Sequence, residues 1–313
     1  MSKEERIIIP SDIGIGATIA YKDKNEKKPL VLLIMGTGSL DRDGNGLGFK
    51  SNLYKDLSDM FVDLGYVCIR YDKRGTHESK TNNKNIGLSD LVNDAATIIH
   101  YAKKLDYVDS ERVVVCGHSE GAMIATLLTK QEKLQGIILL SGACMGLKDA
   151  TLYQNHLVLQ EVKDMKGVLG WFLRKVIKKE LVDKQVEELF SKAEQSKKDT
   201  YFYKGAIIPV KYMREHNALN GEDYAKLLKE YEGEVLAITG KADVQADYRR
   251  LDDVQELYNI TISTPDRLNH MLRDVDGEVS IMNIKKEYMK CLKKEISPSI
   301  RSTISDWSSK LKK

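Results

Sequence analysis

Apolar residues along the chain fall into short continuous runs separated by amphipathic stretches. The run "PLVLLIMG", beginning at Pro29, is apolar at nearly every position, as a strand covered on both faces requires. Two shorter segments, 6–9 and 17–21, flank "PSDIGIG" and read as a hairpin entering the same sheet. From there the pattern alternates. A helix near 49–64 precedes a strand at 66–71, a helix near 88–105 precedes a strand at 112–116, and a helix at 122–131 precedes a strand at 136–141. Further strands are expected at 235–239 and in "LYNITIS". Strand and helix in alternation, with the strands apolar throughout, predict a mostly parallel, doubly wound α/β sheet.

Between 147 and 233 the alternation stops, and the segment is Lys-rich with a helical period. The stretch "VLGWFLRKVIKKELVDKQVEELF" places Val168, Trp171, Phe172, Val176 and Leu189 on one stripe. An insertion of this size between two sheet strands is expected to fold as a helical cap, 147–233, on a core made of 1–146 and 234–313. In "SPSIRSTISDWSSKLKK", Pro298 can open a helix whose Ile300, Ile304, Trp307 and Leu311 share a face. That helix is predicted to dock on the body.

Composition narrows the picture. The 313 residues are 42% hydrophobic and 30% charged, enough for one large α/β core carrying an insertion. The 49 Lys and Arg against 46 Asp and Glu leave +3, and the basic residues do not gather in one tail, so no nucleic-acid partner is expected. No run approaches the ~18 apolar residues of a membrane span, and "MSKEERIIIP" lacks the apolar core of a secretory signal. Stable membrane insertion is therefore not expected, although the basic stripe of the cap is compatible with contact at a membrane surface. Cys68, Cys116, Cys144 and Cys291 are scattered, without a C-x-x-C pair, and read as reduced core thiols of a cytoplasmic protein.

The candidate chemistry centres on "VVVCGHSEGAMIA". Residues 113–116 supply a strand, "AMIATLL" supplies a helix, and a Gly-x-Ser-x-Gly falls on the turn between them. A sharp strand-to-helix turn lifts a serine Oγ clear of the sheet. Gly117 and Gly121 fit that role, since a side chain at either place would crowd the neighbouring strand and helix. A displayed Ser119 needs a base and an acid that orients the base, in this architecture in the chain order serine, acid, histidine. Of the six histidines only His270, in "LNHML", follows the last recognisable strand. The acid should leave the end of the preceding strand, where "VLAITGKADVQAD" offers Asp243, with Asp247 and Asp149 as lesser candidates. A helix N-cap would also account for Asp243.

Other polar residues have plainer readings. His118 is expected to point away from the serine hydroxyl and make a structural contact. His77 and Glu78 either edge the pocket or belong to a surface loop, and His100 reads as a partly buried surface residue on a helix. In "GTGSLDRDGN" the third glycine of a dinucleotide fingerprint is replaced by Asp41, which would repel a pyrophosphate. "DRDGNG" opens like a calcium loop, but its twelfth position is Asn52 where a bidentate Glu is needed. Asp41, Arg42 and Asp43 are therefore read as bracing the loop through hydrogen bonds and ion pairs.

Taken together, "GHSEG", "TGKADVQ", "LNHML" and "YDKRGTHES" resemble the α/β-hydrolase superfamily, and "GTGSLDRDGN" looks closest to the first catalytic loop of bacterial carboxylesterase-like members. The similarity covers about 30–147 and 234–294; the cap resembles no assignable family. The resemblance implies the α/β-hydrolase fold and a serine hydrolase acting on a small-molecule carboxylic ester through an acyl-enzyme on Ser119, with Asp243 and His270 completing a triad and no metal or organic cofactor. It also implies an oxyanion hole from two backbone N–H groups, one on Glu120 and one in the loop after the "PLVLLIMG" strand. Many members carry His-Gly in that loop; this chain has Met35-Gly36, which makes the Thr37 N–H the candidate by position. Trp171 and Phe172 of the cap are candidates for the pocket wall. The same intermediate also serves acyl-peptide or amide hydrolysis and acyl transfer, and a non-catalytic ligand-binding protein on the same scaffold is the alternative of another class.

Overall fold

The computed structural model describes residues 2–203 and 205–311. Eight strands form one sheet: β1 (Lys3–Ile9), β2 (Ile15–Tyr21), β3 (Lys28–Ile34), β4 (Val67–Tyr71), β5 (Val108–His118), β6 (Gly136–Leu140), β7 (Glu234–Ile238) and β8 (Ile260–Ser263). Across the sheet the order is β1-β2-β4-β3-β5-β6-β7-β8. Strands β3 to β8 are parallel, β2 lies antiparallel to β4, and β1 completes the edge hairpin.

The continuous apolar runs are explained by burial on both faces. Leu30, Leu32 and Ile34 of β3, with Val113 and Val115 of β5, pack into one layer; Val31 and Leu33, with Val114 and Cys116, pack into the other. The first layer is covered by α2 (Leu88–Ala102) and α3 (Glu120–Leu128), the second by α1 (Leu53–Asp63) and α10 (Pro298–Leu311). In α10, Ile300, Ile304 and Trp307 are buried on one face, and the Trp307 ring lies so close to Gly136 that a Cβ there would stand 2.9 Å from it. All four cysteines are free and buried. No helix among the described residues is long and apolar enough to cross a membrane.

Element ends differ from the sequence reading for local reasons. Helix α1 starts at Leu53 rather than 49, because Phe49–Lys50 pair with Asn45–Gly46 in a short hairpin and Asn52 takes a left-handed φ of 49°. Strand β5 runs well beyond 112–116, and its register against β3 shifts between Pro29 and Leu30.

Between β6 and β7 stand α4 (Leu147–Asp164), α5 (Gly167–Val176), α6 (Lys179–Gln195), α7 (Val210–Asn217) and α8 (Gly221–Glu230). A two-stranded hairpin, Thr200–Tyr203 with Ala206–Pro209, interrupts what the sequence pattern presented as helix. Val186, Phe190, Ala193 and Met213 make a small separate core, while Ala225 and Leu228 of α8 join the core over the sheet. The expected single stripe divides. Leu189 packs on the small core, but Val168, Trp171, Phe172 and Val176 are exposed, Val168 to 83%. Helical period states which residues share a face; it does not supply a partner to cover it.

Candidate active site

The strand order places β4 on one side of β3 and β5 on the other, so the loops leaving the carboxyl ends of β3 and β5 diverge and open a crevice. Gly36 and Thr37 follow β3, and Ser119 follows β5. With His270 they line a cavity of about 370 Å³.

Ser119 sits on the turn between β5 and α3 with φ 56° and ψ −121°, outside the regions an L-residue ordinarily prefers. Its N–H is fixed by the Leu140 carbonyl at 2.8 Å. The glycines on either side admit no substitute. A Cβ at Gly117 would stand 2.0 Å from the Gly121 carbonyl oxygen, and one at Gly121 would stand 2.1 Å from that of Ile34. At Gly36 a Cβ would come within 2.9 Å of Ser119 Cβ, so the loop after β3 passes directly against the serine.

His270 Nδ1 lies 2.9 Å from Asp243 Oδ2 and 3.1 Å from Oδ1, and both residues are buried. A carboxylate can only accept, so Nδ1 carries the proton and Nε2 keeps its lone pair. Asp243 Oδ1 also accepts from the N–H groups of Gln245 and Ala246 at 2.8 and 3.0 Å, closing a turn in the loop after β7; it caps no helix, and the short helix that follows, Tyr248–Val254, is capped by Asp247. The lesser candidates lie elsewhere: Asp247 pairs with Arg249, and Asp149 accepts from the backbone of Gly146 and Gly221. Among the described residues Ser119 Oγ makes no direct hydrogen bond; it shares the cavity with the imidazole of His270.

His118 lies under this arrangement. His118 Nε2–H donates to the His270 carbonyl at 2.8 Å, so Nδ1 of the neutral ring accepts from Tyr54 Oη at 3.0 Å, and Tyr54 Oη in turn accepts the Gly36 N–H at 2.9 Å. Burial and the neighbouring His270 ring lower the His118 pKa to about 3, keeping it neutral. His118 and Tyr54 thus tie the loop after β3 to the backbone of the histidine.

Glu120 is buried, and three donors converge on its carboxylate: Lys73 Nζ at 2.6 Å, His216 Nε2 at 3.2 Å and the Tyr212 hydroxyl. Burial works against ionisation of Glu120, but the Lys73 charge and the His216 hydrogen bond outweigh it, and the carboxyl lies well below its ordinary range. Sequence reasoning missed this cluster. Lys73 is inside the quoted "YDKRGTHES" but was given no part, and Tyr212 and His216, four apart on α7, have the spacing of an ordinary buried helix face.

The loop after β3 is braced from below. Arg42 pairs with Asp72 at 2.5 Å and with Glu78, Arg70 Nε reaches Asp43 Oδ1 at 2.6 Å, and Asp41 Oδ1 accepts from Asp43 and Asn45 N–H. His77 contacts the Ser39 carbonyl at 3.3 Å outside the cavity. His100 is exposed, not partly buried, and pairs with Glu132. The pocket wall also differs from expectation. Leu147, Thr151 and Gln154 of α4 and Tyr288 of α9 (Ile284–Cys291) line the cavity, whereas Trp171 and Phe172 lie on the outer surface of α5 and do not.

The chain is 25% identical over 303 residues to esterase EstD of Thermotoga maritima, an alignment covering 94% of this chain and 65% of that protein, so the chain spans just under two thirds of its relative's length. Among solved structures it is similar to Est1E from Butyrivibrio proteoclasticus bound to ferulic acid, at a TM-score of 0.57 and 17% identity over 93% of this chain and 99% of that one. The Pyrococcus furiosus esterase Pf2001 matches at a TM-score of 0.54 and 12% identity, covering 98% and 92%. At such identities these likenesses speak for the fold alone. Residues 44–271, most of the chain, match the hydrolase family described as serine aminopeptidase, S33. With that match and an eight-stranded, mostly parallel sheet flanked by helices, the chain belongs to the serine aminopeptidase S33 family of α/β hydrolases.

Proposed function

We propose that the protein is a serine hydrolase cleaving small, uncharged carboxylic esters through an acyl-enzyme on Ser119. His270 Nε2 takes the Ser119 proton as Oγ attacks the ester carbonyl, and Asp243 holds the imidazole in the Nδ1–H tautomer and stabilises its charged form. The oxyanion rests on the N–H groups of Thr37 and Glu120. The alcohol leaves with the proton from His270, and water then attacks the acyl carbonyl by the same steps in reverse order of proton transfer. Residues 147–233 act as a cap over a body formed by 1–146 and 234–313, with α8 as its stem on the body and α4 as the wall of the pocket. The buried free thiols suit a cytoplasmic location.

The observation that carries the reading is the Asp243–His270 pair opening onto the same cavity as a serine held at positive φ against Gly36. The family description raises peptide hydrolysis as the rival. An aminopeptidase must receive the substrate's terminal ammonium on an anion. Among the described residues the cavity is lined by one carboxylate, Glu120, already occupied by Lys73, Tyr212 and His216. A cavity of about 370 Å³ is at the small end for ligand sites, which favours a short acyl group. A fluorophosphonate is expected to label Ser119, and Ser119→Ala to remove both labelling and hydrolysis of a short p-nitrophenyl ester. Release of amine from aminoacyl anilides without ester turnover would overturn the ester reading in favour of the peptidase.

A further inference from the structure

One ammonium group joins the two segments that carry the proposed oxyanion donors. Lys73, in the loop after β4, donates to the Gly36 carbonyl at 2.5 Å and to Glu120 Oε2 at 2.6 Å, with its side chain only 10% exposed. Across a planar trans peptide the carbonyl and the N–H point to opposite sides. Fixing the Gly36 carbonyl toward Lys73 therefore turns the Thr37 N–H away from it. The preceding peptide is pinned as well, by the Gly36 N–H on Tyr54 Oη. Among the described residues neither the Thr37 nor the Glu120 N–H has an acceptor, which leaves both free to receive a developing charge. On the far side, the Glu120 carboxylate holds the first turn of α3 by its bond to the same Nζ.

We propose that Lys73 is a positioning residue of the oxyanion hole: by clasping the Gly36 carbonyl and the Glu120 carboxylate together, it sets the aim and spacing of the Thr37 and Glu120 N–H groups. This rests on the acyl-enzyme reading. Lys73 touches no reacting atom, and its charge is matched by that of Glu120, so its effect is on geometry. A donor that is misaimed is of little use to the oxyanion even though it still binds the ground-state ester.

Lys73→Met is expected to lower kcat about 10- to 100-fold, less than the loss of a whole donor, with KM within about threefold. It should weaken a short alkyl boronic acid, which forms a tetrahedral adduct on the serine, by the same factor as kcat/KM. Lys73→Arg, which keeps the charge and two donors, should recover part of both. Because Lys73→Met strands a buried carboxylate, Lys73→Met/Glu120→Gln is the companion variant. It should regain the melting temperature but not kcat or boronate affinity, and its crystal structure should show the Gly36 carbonyl turned. Recovery of kcat in the double variant, or an unturned Gly36 carbonyl with full boronate affinity, overturns the proposal. Wild-type protein that neither labels with fluorophosphonate nor binds the boronate overturns the acyl-enzyme reading and this proposal with it.

Discussion

The sheet body and the segment from α4 to α7 bury their apolar residues on different scales. In the body, Leu30, Val31 and Leu32 of β3 and Val113, Val114 and Val115 of β5 are wholly inaccessible, with helices on both sides. The segment α4–α7 gathers one small cluster around Phe190 and leaves Val168, Trp171, Phe172 and Val176 in solvent. Every group given a part in bond breaking is held by the body. The segment α4–α7 supplies a wall from α4 and, through Tyr212 and His216, a grip on Glu120. Atoms that must keep their mutual geometry to within about 0.5 Å belong on the region with the deep core. A region with few buried contacts can open at low free energy, as the proposed cap would have to do to admit substrate.

Glycine substitutions give the sharpest contrast between the two regions. In the body, Gly121→Ala drives a Cβ to 2.1 Å from the Ile34 carbonyl oxygen, backbone on both sides, with nothing flexible to yield. A loss of about 3 kcal/mol or more is expected, read as a lowered urea midpoint, because overpacking here displaces β3 against α3. At the start of α5, Gly167 has no atom within 4 Å of the same Cβ position and carries only the strain of φ +84°. Gly167→Ala should cost about 1 kcal/mol. Equal losses in the two variants would remove the distinction in packing.

Aromatic deletions ask whether the segment α4–α7 unfolds by itself. Phe61 and Phe190 are each 1% exposed or less, and truncation of either should cost about 3 kcal/mol in its own surroundings. Phe61→Ala should lower the global unfolding transition. Phe190→Ala should instead speed proteolysis and amide exchange within α4–α7 while the amides of β5 keep their protection. A drop in global stability as large as that of Phe61→Ala would show that the body and α4–α7 unfold as one unit.

The same contrast governs what could be read from the sequence. The body was legible because its strands are buried on both faces, which forces a continuous apolar run, and because a strand–Gly-x-Ser-x-Gly–helix can be built in few ways. The pairing of Asp243 with His270 was legible through their order after successive strands. The hairpin at Thr200–Tyr203 and the outward face of α5 were not, since neither the alternation of four-residue strands nor the phase of a helical stripe identifies a packing partner. Lys73 lies in between. It belongs to a motif whose type was recognised, but its role depends on two contacts distant in sequence, with Gly36 and Glu120.

Acid should act on the body beneath the cavity. Folded His118 titrates near 3 against an ordinary 6.5, chiefly because it is buried and then because His270 adjoins it. Between those values the unfolded chain binds one more proton, so stability is full above 6.5 and declines as pH falls, by up to about 1.4 kcal/mol per pH unit. Glu120, also lowered, adds a loss of the same sign only below its ordinary 4.5. Urea midpoints between pH 6.5 and 4.5 should therefore slope in the wild type and flatten in His118→Asn. Equal slopes would remove His118 as the source.

The smallest effect is expected where the sequence looked most suggestive. Trp171 and Phe172, at 54% and 55% exposure, were natural choices for a pocket wall, yet the cavity is lined by α4 and α9 instead. Lys175 Nζ lies 3.9 Å from the centre of the Trp171 ring, a contact worth about 0.5–1 kcal/mol at an exposed site. Trp171→Ser/Phe172→Ser should change the melting transition by little more than that contact and leave kcat/KM for a short soluble ester within about twofold. Gln154→Ala, on the α4 wall, should alter the acyl-length preference in the same assay. If the α5 pair shifts that preference and Gln154 does not, α5 rather than α4 closes over the bound ester, and the proposed cap is a moving part of the pocket instead of its fixed wall.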